Sequence, residues 1–431
     1  MAFFHAQDLQ AHMKLFRSED RSESHDVIST PIFTEHVGKY LVKSGKKKPV
    51  SKSESISQYG LLACDISVTG KLDEPVRLFH NVSAPSSVFI CGSQGSGKSH
   101  TLATLLENCL VPSAASVLHR PLAGLVFHYD SIVSDAGGLP CEAAFLSSNK
   151  HVAVRVLCPP TNTATIKKVY ASLPNVSVHE LRFSQDNLNT KRMLNLMVAS
   201  SGQNGKMPLY LHTVMPVLRE LRIKQQQRGG GFDYKEFKGA MKDEPLTKEQ
   251  SAPLQQRLDT LESFMVKQDT DAGGSGSRKG KEKSRLRSKG SIDWTPVLLD
   301  LCSITIVHRF TSPVWLHVLR RHLAGATDNS GVHERGELQT PDQNQQDMPA
   351  TNQYRTIPEH ELFTNIVQLR IGEAFLFAPS GIVNASSKNQ AGSTAATNRN
   401  NWQPIFLGNG IMKVLIRNRI TADGGKTIIA E

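Results

Sequence analysis

Ser87-Val88-Phe89-Ile90-Cys91 runs straight into Gly92-Ser93-Gln94-Gly95-Ser96-Gly97-Lys98-Ser99, and this stretch decides how the chain is read. The first five residues are apolar and β-branched enough for a buried strand. The next eight match the phosphate-loop pattern G-x-x-x-x-G-K-[ST] in full. After Lys98, apolar Leu102, Leu105, Leu106, Cys109 and Leu110 recur at helical spacing until Pro112 stops them. Strand, glycine loop and helix together are the context that gives this pattern its meaning. Glycines let backbone N–H groups turn inward on a phosphate, and the helix N-terminus adds a favourable dipole. Lys98 would then reach the β- and γ-phosphates and the Ser99 hydroxyl would ligate Mg²⁺. The expected nucleotide-binding set is Gly92, Ser93, Gln94, Gly95, Ser96, Gly97, Lys98, Ser99 and His100, with ATP and Mg²⁺ as ligands and Ser99 on the metal. The plain alternative is a glycine-rich turn before an ordinary helix.

Around this stretch the 431 residues read as one interrupted domain over 60–425, preceded by a polar, basic, flexible segment over 1–59. Buried-type strands are expected at Gly124–Asp130 and Ser303–His308, and alternating ones at His151–Cys158 and Val176–Phe183. Helices are expected over Leu209–Gln227, Ser251–Lys267, Pro313–Leu323 and Pro358–Leu369. Ser251 and Pro253 would open the second of these, with Leu254, Leu258, Leu261 and Phe264 on one face. Strands Glu373–Ala378 and Ile411–Ile420 close the pattern. Low-complexity stretches interrupt it at about 269–292, 326–355 and 384–402. Strands alternating with helices predict an α/β fold, a mostly parallel sheet with helices on both faces.

Composition excludes several classes. Six cysteines are scattered with no C-x-x-C, so neither a disulfide framework nor a zinc site is expected. No apolar run is long enough to span a bilayer, and the N-terminus does not read as a signal peptide. An intracellular protein, cytoplasmic or nuclear, is expected, with no membrane partner. The formal net charge of +11 is local. Lys39–Lys52 holds six lysines and no acid, and Arg278–Lys289 holds seven basic residues against Glu282, which leaves the rest of the chain at −1. Both segments are poor in apolar residues and read as solvated linkers, or as arms for weak nucleic-acid binding. Lys46-Lys47-Lys48-Pro49 also fits a nuclear-import signal.

Val88–His100, Leu125–Asp130, Leu298–Leu323 and Ile366–Pro379 resemble a group of fungal P-loop proteins similar to the HerA/FtsK-type translocase ATPases. Shared phrases include Leu299-Asp300-Leu301-Cys302-Ser303-Ile304-Thr305-Ile306-Val307-His308-Arg309-Phe310, Arg370-Ile371-Gly372-Glu373-Ala374 and Arg417-Asn418-Arg419-Ile420-Thr421-Ala422-Asp423-Gly424-Gly425. The resemblance implies a RecA-like additional-strand core, ATP with Mg²⁺, and a ring oligomer in which a neighbour supplies an arginine to the phosphates. It also exposes a departure. Such ATPases carry an apolar strand ending in Asp-Glu (the Walker B segment), expected here between about Lys267 and Ser303. This chain has instead a Gly/Ser/Lys/Arg run over Asp269–Gly290.

No other carboxylate replaces that pair convincingly. Asp130 ends a strand but Ser131 follows it, Asp300 sits between leucines, and Asp135 fits D-x-x-G with no N-K-x-D after it. His308 and Arg309 end a strand expected beside the phosphate-loop strand, where a γ-phosphate sensor would sit; a plain strand end is the alternative. Arg417 and Arg419 share one strand face and fit an arginine finger, or more simply a solvated face. Cys91 reads as a small core residue. The expected function is an ATP-binding P-loop protein of the RecA-like class with weak or absent hydrolysis. The competing readings are an active DNA-linked ATPase, a small-molecule kinase without its lid arginines, and a non-catalytic interaction protein holding a structural nucleotide. No L-S-G-G-Q supports a transporter ATPase.

Overall fold

The structure, a computed structural model, describes residues 28–41, 55–67, 75–128, 138–198, 208–266, 301–320, 359–387 and 402–423. The chain groups into two compact units, Met1–Tyr129 with Pro140–Ala153 and Thr295–Glu431, and Asp130–Leu139 with Val154–Trp294.

The first unit is built on a ten-stranded sheet. Its strands are β1 (Ile32–Thr34), β2 (Tyr59–Asp65), β3 (Val76–Asn81), β4 (Val88–Cys91), β5 (Ser116–Val117), β8 (Ile304–Val307), β9 (Glu373–Phe377), β10 (Ile382–Ser387), β11 (Trp402–Phe406) and β12 (Met412–Ile416). Their order is β11-β10-β1-β3-β2-β12-β9-β8-β4, with β5 beside β2. Only β1 with β10 and β4 with β8 pair in parallel; every other pairing among the described strands of this sheet is antiparallel. The mostly parallel, RecA-like sheet expected from the sequence is therefore wrong, and the sheet is mixed. The reason is local. β2 and β3, and β10 and β11, are neighbours in sequence and in space and pair antiparallel, whereas a parallel pair needs a long crossover between its strands.

Side chains alternate across this sheet and build two cores. Ile304, Ile306, Ala374, Leu376, Met412, Val414 and Ile416 pack on one face with Leu105 of helix α2 (Lys98–Leu110). Val307, Phe375 and Phe377 point the other way, toward Leu316 and Leu319 of α8 (Pro313–Arg320) and Leu362 and Ile366 of α9 (Glu359–Val367). A third cluster joins Phe33, Val37 and Ile382. It comes from β1 and α1 (Glu35–Leu41), elements that the polar reading of residues 1–60 passed over.

In the second unit β6 (Val154–Cys158) and β7 (Val176–Glu180) form a two-stranded parallel sheet under α3 (Thr163–Tyr170). Helices α4 (Thr190–Val198), α5 (Leu211–Arg228), α6 (Tyr234–Asp243) and α7 (Lys248–Phe264) enclose their own core of Met193, Met197, Leu218, Phe237, Leu254 and neighbours. Helix α7 begins before the expected Ser251. Thr247 caps it in a reciprocal box with Gln250, so Pro253 falls inside rather than at the start. Leu254, Leu258 and Leu261 are buried as expected.

Two further expectations fail. Gly124–His128, the described part of the expected strand Gly124–Asp130, joins no ladder, and Phe127 is 89% exposed. The strand expected through Ile420 ends at Ile416, because Arg417 turns onto α2. Among the described residues no helix is long and apolar enough to cross a membrane.

Candidate functional site: the loop between β4 and α2

β4 lies parallel to β8 with Val88, Phe89, Ile90 and Cys91 opposite Ile304, Thr305, Ile306 and Val307. This pairing brings the glycine loop against the end of β8. Ser93 donates from both its backbone N (2.8 Å) and its Oγ (2.9 Å) to the Arg309 carbonyl. Within the loop Ser96 Oγ donates to the Ser93 carbonyl at 2.7 Å. Gly92 and Gly97 take φ of 152° and 110°, values that a side chain disfavours, so glycine is needed where the loop leaves the strand and where it enters the helix.

The helix start is open. Gly97 caps α2 without any side-chain oxygen. The backbone N–H groups of Gln94, Gly95, Gly97, Lys98 and Ser99 meet no acceptor among the described residues. Lys98 has no carboxylate partner there either; its Nζ donates to the Ser93 carbonyl at 2.6 Å, and burial lowers its pKa. Ser99 is exposed. Cys91 under the loop is buried, which pushes its thiol up to about 12 and leaves it a neutral packing residue. The result is a set of amide donors at a helix N-terminus beside one ammonium group, an arrangement suited to a polyphosphate.

His308 lies beneath the loop, as its place beside the phosphate-loop strand led one to expect, but it is not free to sense a phosphate. Its Nδ1 is 3.0 Å from the Glu373 carbonyl, which can only accept, so Nδ1 carries the proton. Its Nε2, 2.8 Å from Thr101 Oγ1, then accepts from that hydroxyl. Burial pushes its pKa down to about 4 and keeps the ring neutral. Arg309 is exposed at the same strand end.

The remaining candidates are drawn into structure. His100 Nε2 donates to the Arg417 carbonyl at 2.8 Å. Arg417 and Arg419 are neither fingers nor a solvated face, because each is buried in an internal ion pair. Arg417 Nη1 meets Glu107 at 2.8 Å, and Arg419 Nη1 meets Glu142 at 2.9 Å. Glu107 also accepts from Ile420 N, Thr421 N and Thr421 Oγ1. Burial alone would raise its carboxyl pKa, but the donors from Thr421, Arg417 and Ile420 outweigh burial and hold it below the usual range. Glu373 engages Lys413 at 3.1 Å and the Arg370 amide. The described residues hold no cluster of three metal-ligating side chains. Asp130, Asp135 and Asp300, the segment 269–290 and the bulk of both basic segments lie outside the described residues.

Sequence reasoning missed Thr101, Glu107 and Glu373. Thr101 and Glu107 had a signal of their own. With Thr104 and Asn108 they form a polar stripe at helical spacing, and this stripe is the buried face of α2. No family model matches the chain, and no curated protein matches it.

Proposed function

We propose that this chain binds a magnesium–nucleoside triphosphate, ATP foremost, through Gly92–Ser99, and that it hydrolyses it slowly or not at all. The observation that carries the binding reading is the open loop, where the amides of Gln94, Gly95, Gly97, Lys98 and Ser99 meet no acceptor, and Lys98 no carboxylate, among the described residues. Donors left unmade in a half-buried turn are costly, and phosphate oxygens are acceptors that amides at a helix N-terminus suit. Weak hydrolysis follows from the carboxylates. Glu107, Glu142 and Glu373 are all committed to cations or amides, so none of these three holds a metal shell or orients water, and the sequence carries a Gly/Ser/Lys/Arg run where an Asp-Glu strand would stand. Phosphoryl transfer depends on that positioning, and losing it costs about a hundred- to ten-thousand-fold in rate.

Calorimetry with ATP·Mg²⁺ on wild type and Lys98→Ala tests binding. Tenfold or greater weakening in the variant is expected, and equal affinity overturns the reading. Phosphate release from the same samples tests the second half. Brisk turnover abolished by Lys98→Ala would refute it and would require a carboxylate such as Asp130 to act.

A further inference from the structure

We propose that His308 is a positioning residue for the phosphate loop: its imidazole, tied to α2 and β9 and packed beneath Gly97, sets the loop in the shape that takes a nucleotide. This deepens the nucleotide reading and rests on it only for the ligand half of the test below.

Three contacts meet at one ring, from Gly97, Thr101 and Glu373. A methyl group added at Gly92 would come within 2.7 Å of His308 Cβ, and one at Gly97 would lie 3.4 Å from His308 Cε1. Only the Gly97 end of the loop therefore rests on the ring; Gly92 is crowded by Ser96 Oγ and by His308 Cβ, an atom that any side chain there supplies. The ring in turn is held from both sides, by the Thr101 hydroxyl one turn into α2 and by the Glu373 carbonyl on β9. Loop, helix and sheet are thus tied through one neutral group that donates on one nitrogen and accepts on the other. His308 is fully buried, so each of those bonds replaces water that cannot enter. The charged and titratable groups acting on it are Lys98 and His100, both from α2, while β4 and β9 meet it through the Cys91 and Glu373 backbone carbonyls. An imidazolium beside Lys98 would reverse the Thr101 bond and set a second cation next to the first, and burial keeps the ring from that state. It acts through Gly97 and Thr101.

Three full-length variants separate this role from simple packing. His308→Leu keeps volume but loses both hydrogen bonds. His308→Gln keeps a donor and an acceptor about as far apart as the two ring nitrogens. Thr101→Val removes only the hydroxyl that donates to Nε2. The first readout needs no ligand: hydrogen exchange at the Ser93 and Thr101 amides, which are bonded to the Arg309 and Gly97 carbonyls. The second is affinity for the slowly hydrolysed analogue ATPγS with Mg²⁺. His308→Leu should speed exchange and weaken affinity by about tenfold or more, the scale of losing buried hydrogen bonds. His308→Gln should stay within about threefold of wild type on both. A folded His308→Leu with wild-type exchange and affinity overturns the proposal. So does a His308→Gln no better than His308→Leu. If His308→Leu fails to fold, Thr101→Val decides, with severalfold faster exchange expected and a wild-type rate contrary. Should wild type bind no nucleotide, the nucleotide reading falls, and the exchange data still settle what His308 does for the loop.

Discussion

The two ends of helix α2 treat polar groups in opposite ways. At its N-terminus the amides of Gln94, Gly95, Gly97, Lys98 and Ser99 meet no acceptor, and the ammonium of Lys98 no anion, among the described residues. Near its C-terminus Glu107 is fully buried, yet it accepts from Arg417, Ile420 and Thr421, while Asn108 accepts from Arg417 and donates to the Leu61 carbonyl. The difference teaches where to look for a ligand. A buried carboxylate surrounded by donors from its own chain is finished, and its role is to fasten the Arg417–Asp423 segment to the helix. An unsatisfied row of donors is unfinished, and something outside the chain completes it.

The closed end should therefore govern stability, and the open end binding. The largest effect is expected from Arg417→Met, which leaves Glu107 buried without its cation. Breaking one side of a buried pair costs about 3–5 kcal/mol, read as a lower urea midpoint with unchanged slope. Lys98→Ala should cost under about 1 kcal/mol in the same assay, since no buried anion depends on Lys98. Similar losses from both variants would erase the distinction.

Acid should act on the structure before it acts on the carboxylates. Burial holds His308 and His80 at about 4 in the folded protein, against an ordinary 6.5. Their folded values are depressed, so the unfolded chain takes up protons first as pH falls. The stability these neutral rings contribute is complete above about pH 7 and is lost between about 6.5 and 4, by about 2 kcal/mol per histidine at pH 5. Glu107 and Glu373 also have lowered values and lose their share as pH falls, but only below the usual carboxylate range. Urea titrations at pH 7.5 and 5.0 measure the first window, and His308→Gln should remove about half of the drop. A flat profile down to pH 5 would contradict the buried neutral rings.

Legibility in the sequence followed the same divide. The loop could be read because its chemistry is local: glycines, a lysine and a hydroxyl at fixed offsets, placed between Val88–Cys91 and α2 as the motif requires. The parallel pairing of β4 with β8 was also within reach, since a strand followed by a helix calls for such a neighbour. The rest of the sheet was not, because pairing partners hundreds of residues apart leave no periodic trace. β1 is three residues long, too short for alternation to register, yet Phe33 is buried between β10 and β3. Helix α2 misled in a more instructive way. Leu102 belongs to its apolar pattern but is 41% exposed, while polar Thr101, Thr104, Glu107 and Asn108 face inward. Hydrophobic spacing assumes an apolar neighbour, and here the neighbours are a histidine and an arginine segment that supply hydrogen bonds instead. Glu107 in the middle of that helix could have flagged an internal cation, and Arg417 and Arg419 were the candidates in plain view.

His100 marks the border between the two regions, and its variant carries the smallest expected effect. It directly follows Ser99 in the first turn of α2, so its position in sequence allies it with the open cradle. Its ring, however, donates to the Arg417 carbonyl and so belongs to the closed end. Removing one half-buried hydrogen bond costs about 1 kcal/mol. His100→Ala should lower stability by that amount and leave ATPγS affinity within about threefold of wild type, because the ring gives its hydrogen bond to the strap and not to the loop. Combined with Arg417→Met, its stability effect should shrink, since the carbonyl it holds is then part of a loosened segment. If His100→Ala instead weakens nucleotide binding as much as Lys98→Ala, the border lies further along the helix. The imidazole would then have to leave Arg417 and turn to the phosphates when nucleotide binds, and the closed end would respond to what the open end holds.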